Sequence, residues 1–139
     1  MSTGKRFSEI EVGDVARFSK TITESDVYTY AGVVGDFNPM HVNAEVARKG
    51  PFEQRVAHGM ISAGLISTVL GTELPGPGTI YLGQELSFRA PVFFGDTITA
   101  TCKVTEKREG KNIVRLETTV TKQDGTEVTT GVATVLKKD

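Results

Sequence analysis

An acidic side chain and an imidazole stand close together in Gly35-Asp36-Phe37-Asn38-Pro39-Met40-His41, separated by a proline-locked turn. With reference pKa values of about 3.9 and 6.5, an Asp is a ready base near neutral pH and a His can hold or release a proton, so the pair suits shared proton transfer. A second segment, Ala57-His58-Gly59-Met60-Ile61-Ser62, is a glycine turn running into an apolar helix. The first N–H groups of a helix have no partner inside it and can hold a developing oxyanion. The two segments together point to proton chemistry beside an activated carbonyl.

Each residue also has a plainer reading. An Asp just past a helix end commonly bonds nearby backbone, and a loop His is commonly solvated. His58, directly before a helix-opening glycine, reads first as a buttress of that turn. Ser62 sits one turn into the helix, where a small hydroxyl caps backbone or permits close packing. Gly59-Met60-Ile61-Ser62-Ala63-Gly64 misses the G-x-S-x-G nucleophile elbow by one residue. Gly76-Pro77-Gly78 has the wrong spacing to Gly83 for a dinucleotide loop, and its proline removes a phosphate-binding N–H. With 2 His and 1 Cys in no recognised ligand spacing, no metal is expected.

The elements that must carry these residues are legible as patterns. Thr23 with Asp26 resembles a capping box, Val27, Tyr30, Ala31 and Val34 follow at helical spacing, and Gly35 is a natural stop. That puts Asp36 just past a helix end, Pro39 at a bend and His41 on a loop. A short helical stretch follows, opened by Asn43 and closed by Gly50-Pro51. From Gly59 to about Gly71 apolar residues cover nearly every side, which predicts a helix buried all round. After the break at Glu73 to Gly78 the pattern has period two. Ile98, Ala100, Cys102 and Val104 share one face, Val114, Leu116, Thr118 and Val120 another, and Val128 to Leu136 forms a last strand after the Asp124-Gly125 turn. The economical packing is an α+β fold in which an antiparallel sheet wraps around the apolar helix. A chain this short leaves a sheet edge or face to be covered, so a homodimer is expected.

At 139 residues the chain fits a single domain, 1–139, burying roughly two thirds of its unfolded surface. With 16 Lys+Arg against 17 Asp+Glu there is no global field for nucleic acid or an anionic membrane, and a phosphate-bearing ligand must meet a local patch. The lone Cys102 excludes an internal disulfide and reads as a small buried strand residue. No signal-peptide core precedes Glu9, and Met60 to Leu70 is too short to cross a bilayer, so a cytoplasmic protein is expected.

Tyr30 to His41 combined with Val56-Ala57-His58-Gly59-Met60, the run from Leu70 through Gln84, and Phe88-Arg89-Ala90-Pro91-Val92 together resemble the MaoC-like (R)-specific enoyl-CoA hydratases, in particular the short hydratases of the polyhydroxyalkanoate pathway. The resemblance implies a single hot-dog domain that dimerises, with the acyl-CoA thioester at or near the subunit interface and coenzyme A as part of the substrate rather than a cofactor. It implies Asp36 and His41 as the catalytic dyad, Asn38 as its orienting neighbour, the Gly59 N–H as oxyanion donor, and Ser62 and Leu65 as lining of the acyl pocket, with Pro39 and His58 as support. Other hot-dog activities stay open on the residues alone: thioester hydrolysis, dehydration on an acyl-carrier protein docked on Lys49, Arg55 or Arg89, and acyl-CoA binding without turnover.

Overall fold

A computed structural model describes residues 4–139. In it the alternating segments pair into one five-stranded antiparallel sheet. The strands are β1 (Val15–Thr21), β2 (Ile80–Phe88), β3 (Thr97–Arg108), β4 (Ile113–Lys122) and β5 (Glu127–Leu136), in the spatial order β1-β3-β4-β5-β2. The β3-β4-β5 meander is the one that the period-two pattern predicts, with Gly125 at φ +88 in the turn between the last two strands. The edge strands β1 and β2 carry weak alternation and were not delimited by the sequence pattern.

The helices are α1 (Glu24–Val34), α2 (Pro39–Val42), α3 (Ala44–Arg48) and α4 (Gly59–Thr72). α1 begins at the expected capping box, in which the Asp26 N–H donates to Thr23 Oγ1 and the Thr23 N–H donates to Asp26 Oδ2. It stops at Gly35, whose φ of +81 lies in the left-handed region open to glycine. Asn43 opens α3 by accepting from the N–H groups of Glu45 and Val46.

The long helix α4 touches all five strands. Leu65, Ile66, Val69 and Leu70 pack on the inward rows Ile98, Ala100, Cys102 and Val104 of β3 and Val114, Leu116 and Val120 of β4. Removing each such side chain from water contributes roughly 1.5–3 kcal/mol, so this helix-in-sheet contact dominates the stability of the fold. Burial pushes the Cys102 thiol up to about 12, which leaves it a packing residue and no nucleophile.

Two expectations are corrected. α4 is not buried all round: Met60, Gly64, Ser67 and Gly71, on one side of the helix, are exposed, because the sheet curves around the other side only. His41 is not on a loop but inside α2, a turn of helix made possible by Pro39 at its first position and Asn38 as its cap.

β5 lies so close to β2 that a Cβ on Gly131 would stand 1.8 Å from the Glu85 carbonyl oxygen. Gly131→Ala therefore requires the strands to part, and it is expected to cost about 2–3 kcal/mol, seen as a fall of roughly 5–10 °C in the thermal midpoint.

Candidate active site

The segment from Gly35 to Asn43 hangs over the N-terminal end of α4, and its shape follows from short polar side chains and one proline. Asp36 Oδ1 accepts the Asn38 N–H at 3.1 Å, and Asn38 Oδ1 accepts the Met40 N–H at 3.1 Å, so two consecutive local turns fix the chain between the acid and the imidazole. Asn38 thus acts on both: its main chain holds the Asp36 carboxylate and its side chain starts the helix that bears His41. Tyr28 on α1 donates to the Val42 carbonyl at the end of α2 at 2.7 Å and accepts from Arg55, which also pairs with Glu24 at 2.7 Å. That bracket fastens α1 and α2 to the strand-like residues leading into α4.

His41 is buried, and its Nδ1 lies 2.6 Å from the Val56 carbonyl. A carbonyl only accepts, so Nδ1 is the donor, and in the neutral imidazole the lone pair is then on Nε2. His58, on the residue before α4, donates from Nε2 to the main-chain carbonyl of Asp36 at 2.9 Å. Its ring stacks on His41 with centroids 3.8 Å apart and meets Tyr30 at 4.7 Å. Only 3% of its side chain is exposed, against 50% for Asp36. His58 is therefore the buttress between the two residues of the pair: it holds the backbone of one and the ring face of the other. A carboxylate oxygen of Asp36 and a ring nitrogen of each histidine lie within 4.8 Å of one another. Two hydrogen bonds of ordinary length meeting at a tetrahedral oxygen span about 4.6 Å, which is inside that limit.

These three donors are also the one grouping among the described residues that has metal-ligand composition. The two imidazole planes are stacked, so their in-plane lone pairs run side by side instead of converging on one ion, and the set does not fit a tetrahedral site.

α4 starts beside the pair. Among the described residues the Gly59 N–H has no acceptor, and the Phe88 ring lies so near that a Cβ at Gly59 would sit 3.0 Å from it. Gly59 lines a cavity of about 470 Å³ whose wall also includes His41, Ser62, Phe88, Arg89 and Thr129. The cavity is apolar apart from a few groups, among them His41, Arg89 and Ser62, whose Oγ donates to the Gly59 carbonyl at 2.7 Å and lies 2.7 Å from Thr129 Oγ1. Leu65 does not join them. It packs in the core and borders a second hollow of about 370 Å³ with Tyr30, Ile61 and Gly64, separated from the first by Met60. Asp36 stands outside the lining of both.

The sequence reading brought together Asp36, Asn38, Pro39, His41, His58, Gly59 and Ser62, and the fold does the same. It missed Phe88 and Thr129. A threonine in an alternating strand carries no mark of being the buried partner of Ser62, whereas an exposed Phe ending a strand next to an Arg was at least visible.

A sheet curved around one helix is a hot-dog fold, and this one carries an acid and an imidazole over the start of that helix. The chain belongs to the MaoC like domain family, which matches residues 8–126. It is 52% identical over 130 residues to an (R)-specific enoyl-CoA hydratase of Rhodospirillum rubrum, covering 94% of this chain and 90% of that one. It is 46% identical to an (R)-specific enoyl-CoA hydratase of Aeromonas caviae, over 91% of this chain and 94% of the other. The unliganded R-hydratase PhaJ1 from Pseudomonas aeruginosa superposes with a TM-score of 0.93 at 43% identity, covering 98% of this chain and 87% of that chain.

If His58 is the buttress described, His58→Phe keeps the stack and loses the donor to Asp36. It should destabilise the protein by about 1–2 kcal/mol in urea unfolding, and His58→Ala, which also leaves a void, by about 3 kcal/mol or more.

Proposed function

We propose that the protein is an (R)-specific enoyl-CoA hydratase, adding water reversibly to a trans-2-enoyl-CoA to give an (R)-3-hydroxyacyl-CoA. The observation that carries this reading is the approach of an Asp36 carboxylate oxygen and a His41 ring nitrogen to within 4.8 Å beside an unpaired helix N–H, in a chain about half identical to named hydratases along nearly its whole length.

The β-carbon of an unsaturated thioester becomes electrophilic only as charge gathers on the thioester oxygen. The Gly59 N–H and the positive end of α4 receive that charge, at a worth of about 3–4 kcal/mol for one well-placed donor. A water held by the Asp36 carboxylate and His41 Nε2 loses a proton to the pair as its oxygen bonds the β-carbon, and the pair returns a proton to the α-carbon on the same face. Oxygen and hydrogen added to one face of a bound enoyl group give a single stereoisomer, and positioned acid–base groups supply roughly 10²- to 10⁴-fold. Asn38 and His58 position this pair, Pro39 shapes the turn between its members, and Ser62 lines the acyl cavity while fixing the Gly59 carbonyl. Leu65 bounds the neighbouring hollow and acts on acyl length through Met60. Coenzyme A enters as part of the substrate, and neither metal nor cofactor takes part in the chemistry. The (R)-3-hydroxyacyl product is of the kind polyester synthesis consumes, and the cytoplasm is the compartment proposed for this chemistry.

The working form is a homodimer. β2 is an edge strand, and Ile80, Tyr81, Leu82 and Phe88 on it are exposed apolar side chains that a second copy would cover.

With crotonyl-CoA the enoyl-thioester absorbance should fall without release of free thiol, and Asp36→Asn should slow this by about 10³-fold or more while the circular dichroism spectrum is retained. Thiol release by the native protein, or near-native turnover by the variant, contradicts the reading. Leu82→Lys on the β2 edge should shift the sedimenting species from dimer toward monomer; a native protein that sediments as a monomer removes the dimer from it.

A further inference from the structure

The net charge of −1 gives the protein no general attraction for an anion, so a phosphate-bearing substrate needs a local cation. Arg89 is the one Lys or Arg lining the cavity that holds His41 and Gly59. It follows β2 directly, and its main-chain N–H donates to the Val128 carbonyl at 2.9 Å. Its Nε donates to Thr130 Oγ1 at 2.8 Å, which fixes the plane of the guanidinium. No carboxylate among the described residues pairs with it. The other cations weighed for an anionic partner differ: Arg55 is held by Glu24, Tyr28 and the Phe94 ring, and Lys49 lies away from the cavity lining.

Next to Arg89 in the same wall, Phe88 lays its ring against Gly59. A thioester whose carbonyl oxygen meets the Gly59 N–H lies in a cavity whose wall holds both this aromatic face and the guanidinium. The geometry points to Arg89 as the phosphate-binding residue for the substrate's handle, with the outward N–H groups of its fork taking a phosphate ester of the phosphopantetheine arm or of the attached nucleotide. A planar guanidinium with its Nε already tied presents two parallel donors to phosphate oxygens with little further ordering. The inference rests on the thioester reading above but concerns a separate group of the ligand.

Calorimetry with coenzyme A, dephospho-coenzyme A, 4′-phosphopantetheine and pantetheine tests it without turnover. Arg89→Gln should weaken coenzyme A binding about tenfold and flatten its salt dependence, with pantetheine bound equally by both proteins. The shortest ligand in the series that feels the substitution identifies the phosphate. A loss at 4′-phosphopantetheine places Arg89 on the arm, which a carrier protein also presents, and a loss seen only with the full nucleotide places it on coenzyme A. Thr130→Val, which keeps the charge but frees Nε, should weaken coenzyme A binding in the same direction by a smaller factor, so the assignment does not depend on one variant folding. Lys49→Gln should change nothing. Coenzyme A bound within about twofold by Arg89→Gln, pantetheine weakened as much as coenzyme A, or no coenzyme A binding by the native protein would each overturn the assignment. Native protein that binds coenzyme A in an Arg89-dependent way yet leaves crotonyl-CoA unchanged would sink the hydration reading and leave the phosphate site standing.

Discussion

The structure depends on the burial of one face of α4 in the hollow of a curved sheet. Leu65, Ile66, Val69 and Leu70 can leave water only if all five strands bend around them, and that contact fixes the axis of the helix and where it starts. A helix must begin with N–H groups that have no partner inside it. Here the core sets that beginning at the rim of the sheet, against an apolar cavity, so a donor that would be an untidy end elsewhere becomes a fixed positive pole. Gly59 serves this place because a side chain there would press on the Phe88 ring.

The acid and the imidazole come from a different part of the chain, and no strand pairing holds them. They are held instead by contacts to the residues that lead into α4. His41 bonds the Val56 carbonyl, His58 bonds the Asp36 carbonyl, and the Val56 N–H returns to the Met40 carbonyl at 3.1 Å. The Ala57 N–H then ties this strip to Val92 at 2.8 Å and so to the sheet. The Asp36 and His41 side chains and the Gly59 N–H are therefore set by one short strip, residues 56–59, and a shift in either moves the other. Buried hydrogen bonds suit that task because breaking one leaves an unpaired carbonyl at a cost of about 1–3 kcal/mol, which makes the arrangement stiff.

Much of this was legible in the sequence, for reasons that differ by element. The cap at Thr23, the stop at Gly35 and the Asn43 start were readable because capping and left-handed turns depend on side chains a few residues away. β3, β4 and β5 were readable because each buries one face, and a half-buried strand shows its period. β1 and β2 were not, since edge strands exposed on most positions lose the alternation that marks the rest. The placement of His41 in a helical turn was missed because a four-residue helix has no periodicity and exists here through Pro39 and Asn38 alone. The pairing of Ser62 with Thr129 and the separation of Leu65 from Ser62 depend on long-range packing, which residue spacing along α4 does not reveal.

The exposed side of α4 follows from the same division of labour. A helix buried on every side could not present its N-terminus to a ligand, and one amphipathic in the ordinary way would carry charges next to the site, where they would compete with substrate for the free N–H. α4 has neither pattern. Its open side is Met60, Gly64, Ser67 and Gly71, small or apolar and without charge, while no Lys, Arg, Asp or Glu occurs between Gly59 and Thr72. The charged side chains that flank the site are then Asp36 outside the cavity lining and Arg89 in its wall, so no side chain of α4 screens the positive pole of the helix.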